Sequence, residues 1–175
     1  MTTFKLNLYT ISMKYVRDLH KEDDKVQSVS PQINKSSRPF VGIVILVGEK
    51  QYCIPLDSPK TKHNSMKNDI DFLKMTAENK LLGVLNLNNM IPVNERLIQK
   101  IDLRPNCSDR EDTASYKNLC RKELDWIRKH QDQIIAKANR LYLMIIQGKA
   151  PKKLADRCLN FTKLESVLEK WNNRH

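Results

Sequence analysis

Apolar and polar positions divide the chain into two unlike halves. In the first, residues 4–11 alternate as a half-buried strand does. Residues 12–22 change to helical spacing, with Tyr15, Val16 and Leu19 on one side. Residues 28–37 are polar, hold Pro31 and two adjacent serines, and read as a loop. The run Phe40-Val-Gly-Ile-Val-Ile-Leu-Val47 is rich in β-branched residues and predicts a buried central strand. Gly48-Glu49-Lys50 predicts a turn and residues 51–55 a hairpin partner, ended by Pro55 because proline cannot donate to a ladder. Residues 66–79 place Ile70, Leu73 and Ala77 on one face of a predicted helix, and residues 82–91 predict a further strand ended by Pro92.

The second half has helical periodicity. From Cys120, the positions Leu124, Ile127, Ile134, Ala138, Leu141 and Ile145 follow spacings of three and four, but Gln131 interrupts the seam. A coiled coil needs unbroken heptads, so the pattern predicts two packed helices separated near His130. Gly148 is placed to stop the second. Thr162-Lys-Leu-Glu165 matches a capping box and predicts a last helix with Leu164, Leu168 and Trp171 on its buried face. The expected fold class is α+β: a single domain over residues 1–175, sheet-rich in 1–92 and helix-rich in 93–175, with a twisted, mostly antiparallel sheet and helices around it.

Charge narrows the partners. The chain carries 31 Lys and Arg against 20 Asp and Glu, a net charge of +11, spread along its length. A folded domain this basic favours a polyanion, although generic basicity explains the same number. With only 4 glycines and neither a GxGxxG nor a GxxxxGK[ST] string, nucleotide-cradling loops are not expected. Cys53, Cys107, Cys120 and Cys158 form no CxxC pair and have no histidine at zinc spacing, so reduced thiols in a cytoplasm are the simplest expectation. No apolar leader opens the chain, and the run of residues 41–47 is too short to cross a bilayer.

The segment most suited to chemistry is Pro55-Leu-Asp-Ser-Pro-Lys60 with Thr61-Lys62-His63-Asn64-Ser65. A buried strand ends there and at once presents a carboxylate, a hydroxyl, ammonium groups and an imidazole. In a hairpin over residues 40–55, Arg38 would stand beside Asp57 and Ser58. Cutting RNA by internal 2′-OH attack needs a proton acceptor, charge stabilisation at phosphorus and a proton for the leaving 5′-oxygen. Arg38 and Lys60 suit the charge, and Lys60 beside a second cation could move protons. Ser58 can donate to a phosphate oxygen, and His63 can act as acid or base. The plainer alternative stays open: Asp-Ser-Pro-Lys reads also as a simple turn, and His63 as a solvated surface residue. Lys5, Lys14, Arg17 and Lys21 read equally as a solvated face, and Trp126 and Trp171 as core. The carboxylate pairs Asp23/Asp24 and Asp69/Asp71 lack a third acid, so no metal and no cofactor is expected.

Ordered fragments of the chain resemble the ToxN/AbiQ family of type III toxin–antitoxin ribonuclease toxins, and among them suggest the CptN branch. They are Leu8-Tyr-Thr-Ile-Ser12 with Lys14-Tyr15, Asp23-Asp-Lys-Val26, Arg38-Pro-Phe-Val-Gly-Ile-Val44, Pro55-Leu-Asp-Ser-Pro-Lys60, Leu85-Asn-Leu87, Met90-Ile-Pro92, Trp126-Ile-Arg128, Gln147-Gly-Lys149 and Asn160-Phe161. The resemblance implies a fold similar to Kid/MazF toxins and metal-independent RNA cleavage leaving a 2′,3′-cyclic phosphate. It also implies a pseudoknotted antitoxin RNA that the toxin itself processes and that inhibits it. A closed hetero-oligomeric protein–RNA assembly, cellular RNA substrates and a role in phage abortive infection complete the picture. Carried over by position, the family's hydroxyl falls on Ser58, its lysine on Lys60 and its basic residue before the central strand on Arg38, where the family has lysine. Asp57 replaces a threonine, and a loop tyrosine has Asn34 as its nearest match. The expected catalytic set is therefore Lys60, Ser58, Arg38 and Asp57. The expected RNA contacts are His63, Lys62, Asn34, Lys25, Lys14 and Tyr9. The competing class is a non-catalytic RNA- or DNA-binding module, which needs the charge but not the strand-end cluster.

Overall fold

A computed structural model of the chain describes residues 5–27 and 40–174; the predicted loop at 28–37, with Asn34 and Arg38, lies outside them. The strands are β1 (Leu8–Ile11), β2 (Val41–Val47), β3 (Lys50–Asp57), β4 (Phe72–Ala77), β5 (Lys80–Asn86), β6 (Ile91–Pro92) and β7 (Ile98–Lys100). The helices are α1 (Met13–Glu22), α2 (Glu111–Lys129), α3 (Gln131–Ile146), α4 (Lys152–Arg157) and α5 (Phe161–Arg174). All strand pairings are antiparallel, in the order β4-β5-β3-β2-β1-β7, with β6 also against β3. The α+β class is as expected, and β7 brings a strand from the second half of the chain into the sheet.

Strand β3 organises this sheet. Along one edge it pairs with β2 from Lys50 to Pro55. On its other edge Tyr52 and Cys53 pair with β6, and Leu56 and Asp57 with β5. The expectation that β3 stops at Pro55 is therefore overturned. Pro55 falls in the gap where neither β6 nor β5 is paired, a position where proline's missing donor costs little. Opposite it, Gly42 leaves no room for a side chain, because a Cβ there would run into the Ile54 carbonyl and the Cys53 Sγ.

The predicted helix at 66–79 is instead the strand β4. It forms a hairpin with β5 through Glu78 and Asn79, both at positive φ (51° and 62°), the paired left-handed geometry that matches strand twist. Phe72, Leu73 and Met75 are buried in that hairpin, so tertiary burial overrides the helical spacing read from Ile70, Leu73 and Ala77. The predicted strand at 82–91 is likewise divided: β5 ends at Asn86, a 3₁₀ turn spans Leu87–Asn89, and β6 resumes the chain.

The helical half follows its pattern more closely. Helices α2 and α3 meet at His130, and Gly148 (φ 66°) closes α3. There the Gly148 N–H bonds the Ile145 carbonyl and the Lys149 N–H the Met144 carbonyl, a Schellman closure. The capping box at Thr162 does not form. Helix α5 begins two residues earlier, at Phe161, and Asn160 Oδ1 accepts the Lys163 N–H at 3.1 Å. Glu165 is drawn instead into a buried tyrosine cluster. Helix α2 packs on β4 and β5, α3 on β2, and α5 on β6 and α1. One core joins both halves, from Leu8, Ile43, Ile54 and Leu85 to Ile127, Leu141, Phe161 and Leu164. Trp171 meets Tyr15 edge-on and Trp126 stacks on His130, as structural readings of both require.

Candidate active site

Strand β3 carries the site. Asp57 is fixed on paired backbone opposite Val84, and the chain then leaves the sheet as Ser58-Pro59-Lys60 before a 3₁₀ turn at Thr61–Asn64. Asp57 Oδ2 accepts hydrogen bonds from Asn86 Nδ2 and, at 3.1 Å, from Gln27 Nε2. Ser58, Lys60 and Lys62 are exposed.

His63 is not the solvated residue its polar neighbourhood suggests. It is 4% exposed and its ring lies 5.5 Å from that of Phe72. Its N–H donates to the Lys60 carbonyl at 2.8 Å, and its Nδ1 accepts the Lys60 N–H at 2.9 Å. A ring nitrogen that accepts carries no proton, so this bond assigns the neutral ring proton to Nε2. Burial, then the nearby Lys62 and Lys60 charges, lower the His63 pKa, and Asp57 opposes them without prevailing. The imidazole is a neutral peg around which the Lys60 turn is wound.

Beside this loop lies a cleft of about 360 Å³, lined by Asp57, Lys60, Lys62 and His63 together with Asn86, Asn88, Asn89 and Arg157. Arg157, at the end of α4, forks onto the buried carboxylate of Asp71 at 2.6 and 3.0 Å. Asp69 and Asp71 also line the cleft, but Asp71 is engaged by Arg157, as Asp57 is by two amides. Among the described residues no three His, Cys, Asp or Glu side chains converge as metal ligands.

The whole chain has known counterparts. Residues 7–169 match the family described as toxin ToxN of the type III toxin–antitoxin system. The chain belongs to the ToxN family. The endoribonuclease ToxN of Pectobacterium atrosepticum is 34% identical to it over 151 residues, covering 82% of this chain and 84% of the relative. Among solved structures it resembles a bacterial type III toxin selectively inhibited by a non-coding RNA pseudoknot, at 29% identity and TM-score 0.75, over 97% of this chain and 99% of that one. It also resembles a component of a bacterial antiviral system regulated by a processed non-coding RNA, at 30% identity and TM-score 0.73, over 94% and 98% of the two chains.

Within this ToxN-family fold the expected residues separate into two groups. Asp57, Ser58, Lys60, Lys62 and His63 come together at the end of β3. Lys25 does not join them, because its ammonium is bound to the Cys158 carbonyl at 2.9 Å. Lys14 is exposed on α1, and Tyr9 pairs with Gly42 and Lys100 in the sheet. Neither lines the cleft. Sequence reasoning missed Gln27, Asn86, Asn88, Asn89 and Arg157. The three asparagines within four residues were a visible signal. Gln27 and Arg157 carried none, because only the fold brings them to Asp57 and Asp71.

Proposed function

We propose that this chain is a metal-independent endoribonuclease toxin whose reaction takes place at Asp57, Ser58 and Lys60, held in check by a folded RNA that it cuts from its own precursor. The observation that carries the reading is a hydroxyl and an ammonium, Ser58 and Lys60, that form no side-chain hydrogen bond among the described residues and follow immediately on a carboxylate pinned on the sheet, Lys60 and that carboxylate lining a cleft that also receives Lys62, Lys67 and Arg157. The relatives' ribonuclease activity and RNA partner support it.

In the proposed step the RNA 2′-oxygen forms a bond to phosphorus while the bond from phosphorus to the 5′-oxygen breaks. The 2′ proton passes to an acceptor in the cleft and the 5′-oxygen takes up a proton from solvent water, leaving a 2′,3′-cyclic phosphate and a 5′-hydroxyl. Lys60 neutralises the charge gathering on the phosphoryl oxygens, and Ser58 Oγ donates to one of them. Asp57, tied through one oxygen to Asn86 and Gln27, keeps the other as the acceptor available for the 2′ proton. His63 holds the loop in shape.

A positive surface attracts any RNA, and its affinity falls with salt as counterions are released. Selective restraint by one RNA requires shape and unstacked bases as well, which suits a pseudoknot left in the cleft after cutting and a closed assembly of toxin and RNA units. No helix among the described residues is long and apolar enough to cross a membrane, and Cys53, Cys107, Cys120 and Cys158 are free thiols. Both suit action in a cytoplasm, where arrest of an infected cell would limit phage. Expression without the antitoxin RNA in a bacterial host tests the reading: growth should stop and resume when the RNA is supplied. Unchanged growth would favour the non-catalytic RNA-binding module.

A further inference from the structure

We propose that the turn at residues 86–89 reads one unpaired nucleobase beside the cut, through the carboxamides of Asn89 and Asn88. The proposal rests on the cleft being an RNA site, as above. The turn is held firmly for a half-buried, asparagine-rich segment. Leu87 within it and Met90 directly after it are fully buried. The Asp71 carbonyl accepts both the Leu87 and Asn88 N–H groups, at 3.0 and 3.3 Å. From the opposite side the Leu159 N–H donates to the Asn88 carbonyl at 3.0 Å, and Asn88 Nδ2 donates to the Arg157 carbonyl at 3.2 Å. The Arg157 fork on Asp71 closes the ring of contacts. Such a frame holds its side chains in place before a ligand arrives.

What the frame presents is chemically selective. Asn86 is engaged by Asp57, which ties the turn to the reactive loop. Asn88 keeps its side-chain oxygen uncommitted, and the Asn89 carboxamide forms no hydrogen bond among the described residues although it lines the cleft. A neutral amide adds little to the grip on a phosphate, which lysine and arginine already supply. It matches the donor and acceptor pattern of a base edge, which carries the sequence information. Met66, exposed and lining the same cleft, offers apolar surface to a base face. At about 360 Å³ the space has the size of a small-ligand pocket, suited to one splayed base and not to a duplex.

Two measurements on the purified full chain test this. First, a random single-stranded RNA pool is cut and the ends sequenced. The wild type should prefer one base at a fixed position from the cut. Asn89→Ala should flatten that preference, losing roughly tenfold or more on the preferred base and little on the others, while the isosteric Asn89→Asp should change which base is preferred. An unchanged preference, or an equal loss on all four bases, would overturn the proposal. Second, binding of single-stranded 2′-O-methyl oligonucleotides, which cannot be cut by 2′-OH attack, is compared for four homopolymers by fluorescence anisotropy. The wild type should discriminate among them and Asn89→Ala should not. Discrimination without any cleavage would sink the nuclease reading and keep this one. Equal binding of all four by the wild type would sink this one whatever the nuclease does.

Discussion

The two ends of strand β3 use polar residues in opposite ways. At its start, Glu165 of α5 receives Lys50 Nζ, Tyr52 Oη and Tyr142 Oη at 2.5, 2.5 and 2.7 Å. The rings of Tyr52, Tyr142 and Phe161 pack on one another with centroids 5.6 to 5.8 Å apart. Burial alone would raise the Glu165 pKa, but its three hydrogen bonds outweigh that and hold it below the ordinary value. At the other end, Asp57 and His63 are tied down. Among the described residues the Ser58 hydroxyl and the Lys60 ammonium form no hydrogen bond or ion pair with another side chain. A polar group whose bonds all close inward stabilises the fold. One left open on a rigid mount is available to a ligand, and this is why the proposed chemistry is assigned to the second end of β3.

The most direct way to break that comparison is to exchange the consequences. Lys60→Ala and Ser58→Ala should each lower RNA cleavage by roughly a hundredfold or more and relieve growth arrest, with thermal unfolding unchanged. Glu165→Ala should do the reverse. It strands two tyrosine hydroxyls and should cost about 3 kcal/mol in urea unfolding, yet retain activity per folded molecule. If both ends lose activity or both lose stability, the division fails.

Glu123 sharpens it with a third carboxyl. It is 7% exposed on α2, and its Oε1 lies 2.6 Å from where a Cβ on Gly83 would stand, so a side chain there would push Glu123 aside. No donor among the described residues offsets its burial, which raises its pKa to about 7 from 4.5. The folded state therefore holds that proton more tightly than the unfolded chain. The resulting stability is greatest below about pH 4.5 and declines as pH rises to about 7. Glu123→Gln should be more stable than wild type by about 2 to 3 kcal/mol at pH 8 and equal to it at pH 4, read from urea melts across that range. Glu165, with its lowered pKa, should show the opposite trend, stabilising at neutral pH and losing that contribution in acid. Equal slopes for the two would contradict the account.

The smallest effect concerns His63. Its lowered pKa keeps it neutral above pH 6.5, so His63→Ala should loosen the loop and slow cleavage by roughly tenfold without altering the shape of the pH–rate profile above that point. Loss of a limb in that profile would make His63 a proton carrier.

The same contrast explains what the sequence revealed. The β-branched run of β2, the split of the long helix at His130 and the glycine stop at 148 are local signals that packing reinforces, and each was legible. Strand β4 was not, because its apolar spacing fits a helix equally and its turn uses Glu78-Asn79 in place of a glycine pair. Pro55 misled because its tolerance depends on a gap between β6 and β5 that only the topology creates. At the site, Asp57, Ser58 and Lys60 were legible as a cluster following a strand. The burial of His63 depends on Phe72, nine residues on, and Arg157 reaches the cleft through Asp71, 86 residues away. Neither leaves a trace in local sequence.

The central claim is that RNA is cut at the open end of β3 by its own 2′-hydroxyl. Purified protein should therefore be given a single-stranded RNA with EDTA present, beside the same RNA carrying a 2′-deoxynucleotide at the mapped cut. The account predicts undiminished cleavage of the first to a 2′,3′-cyclic phosphate, and no cleavage at that position in the second. Cutting of the deoxy-substituted position, or activity that disappears with EDTA and returns with magnesium, would contradict it.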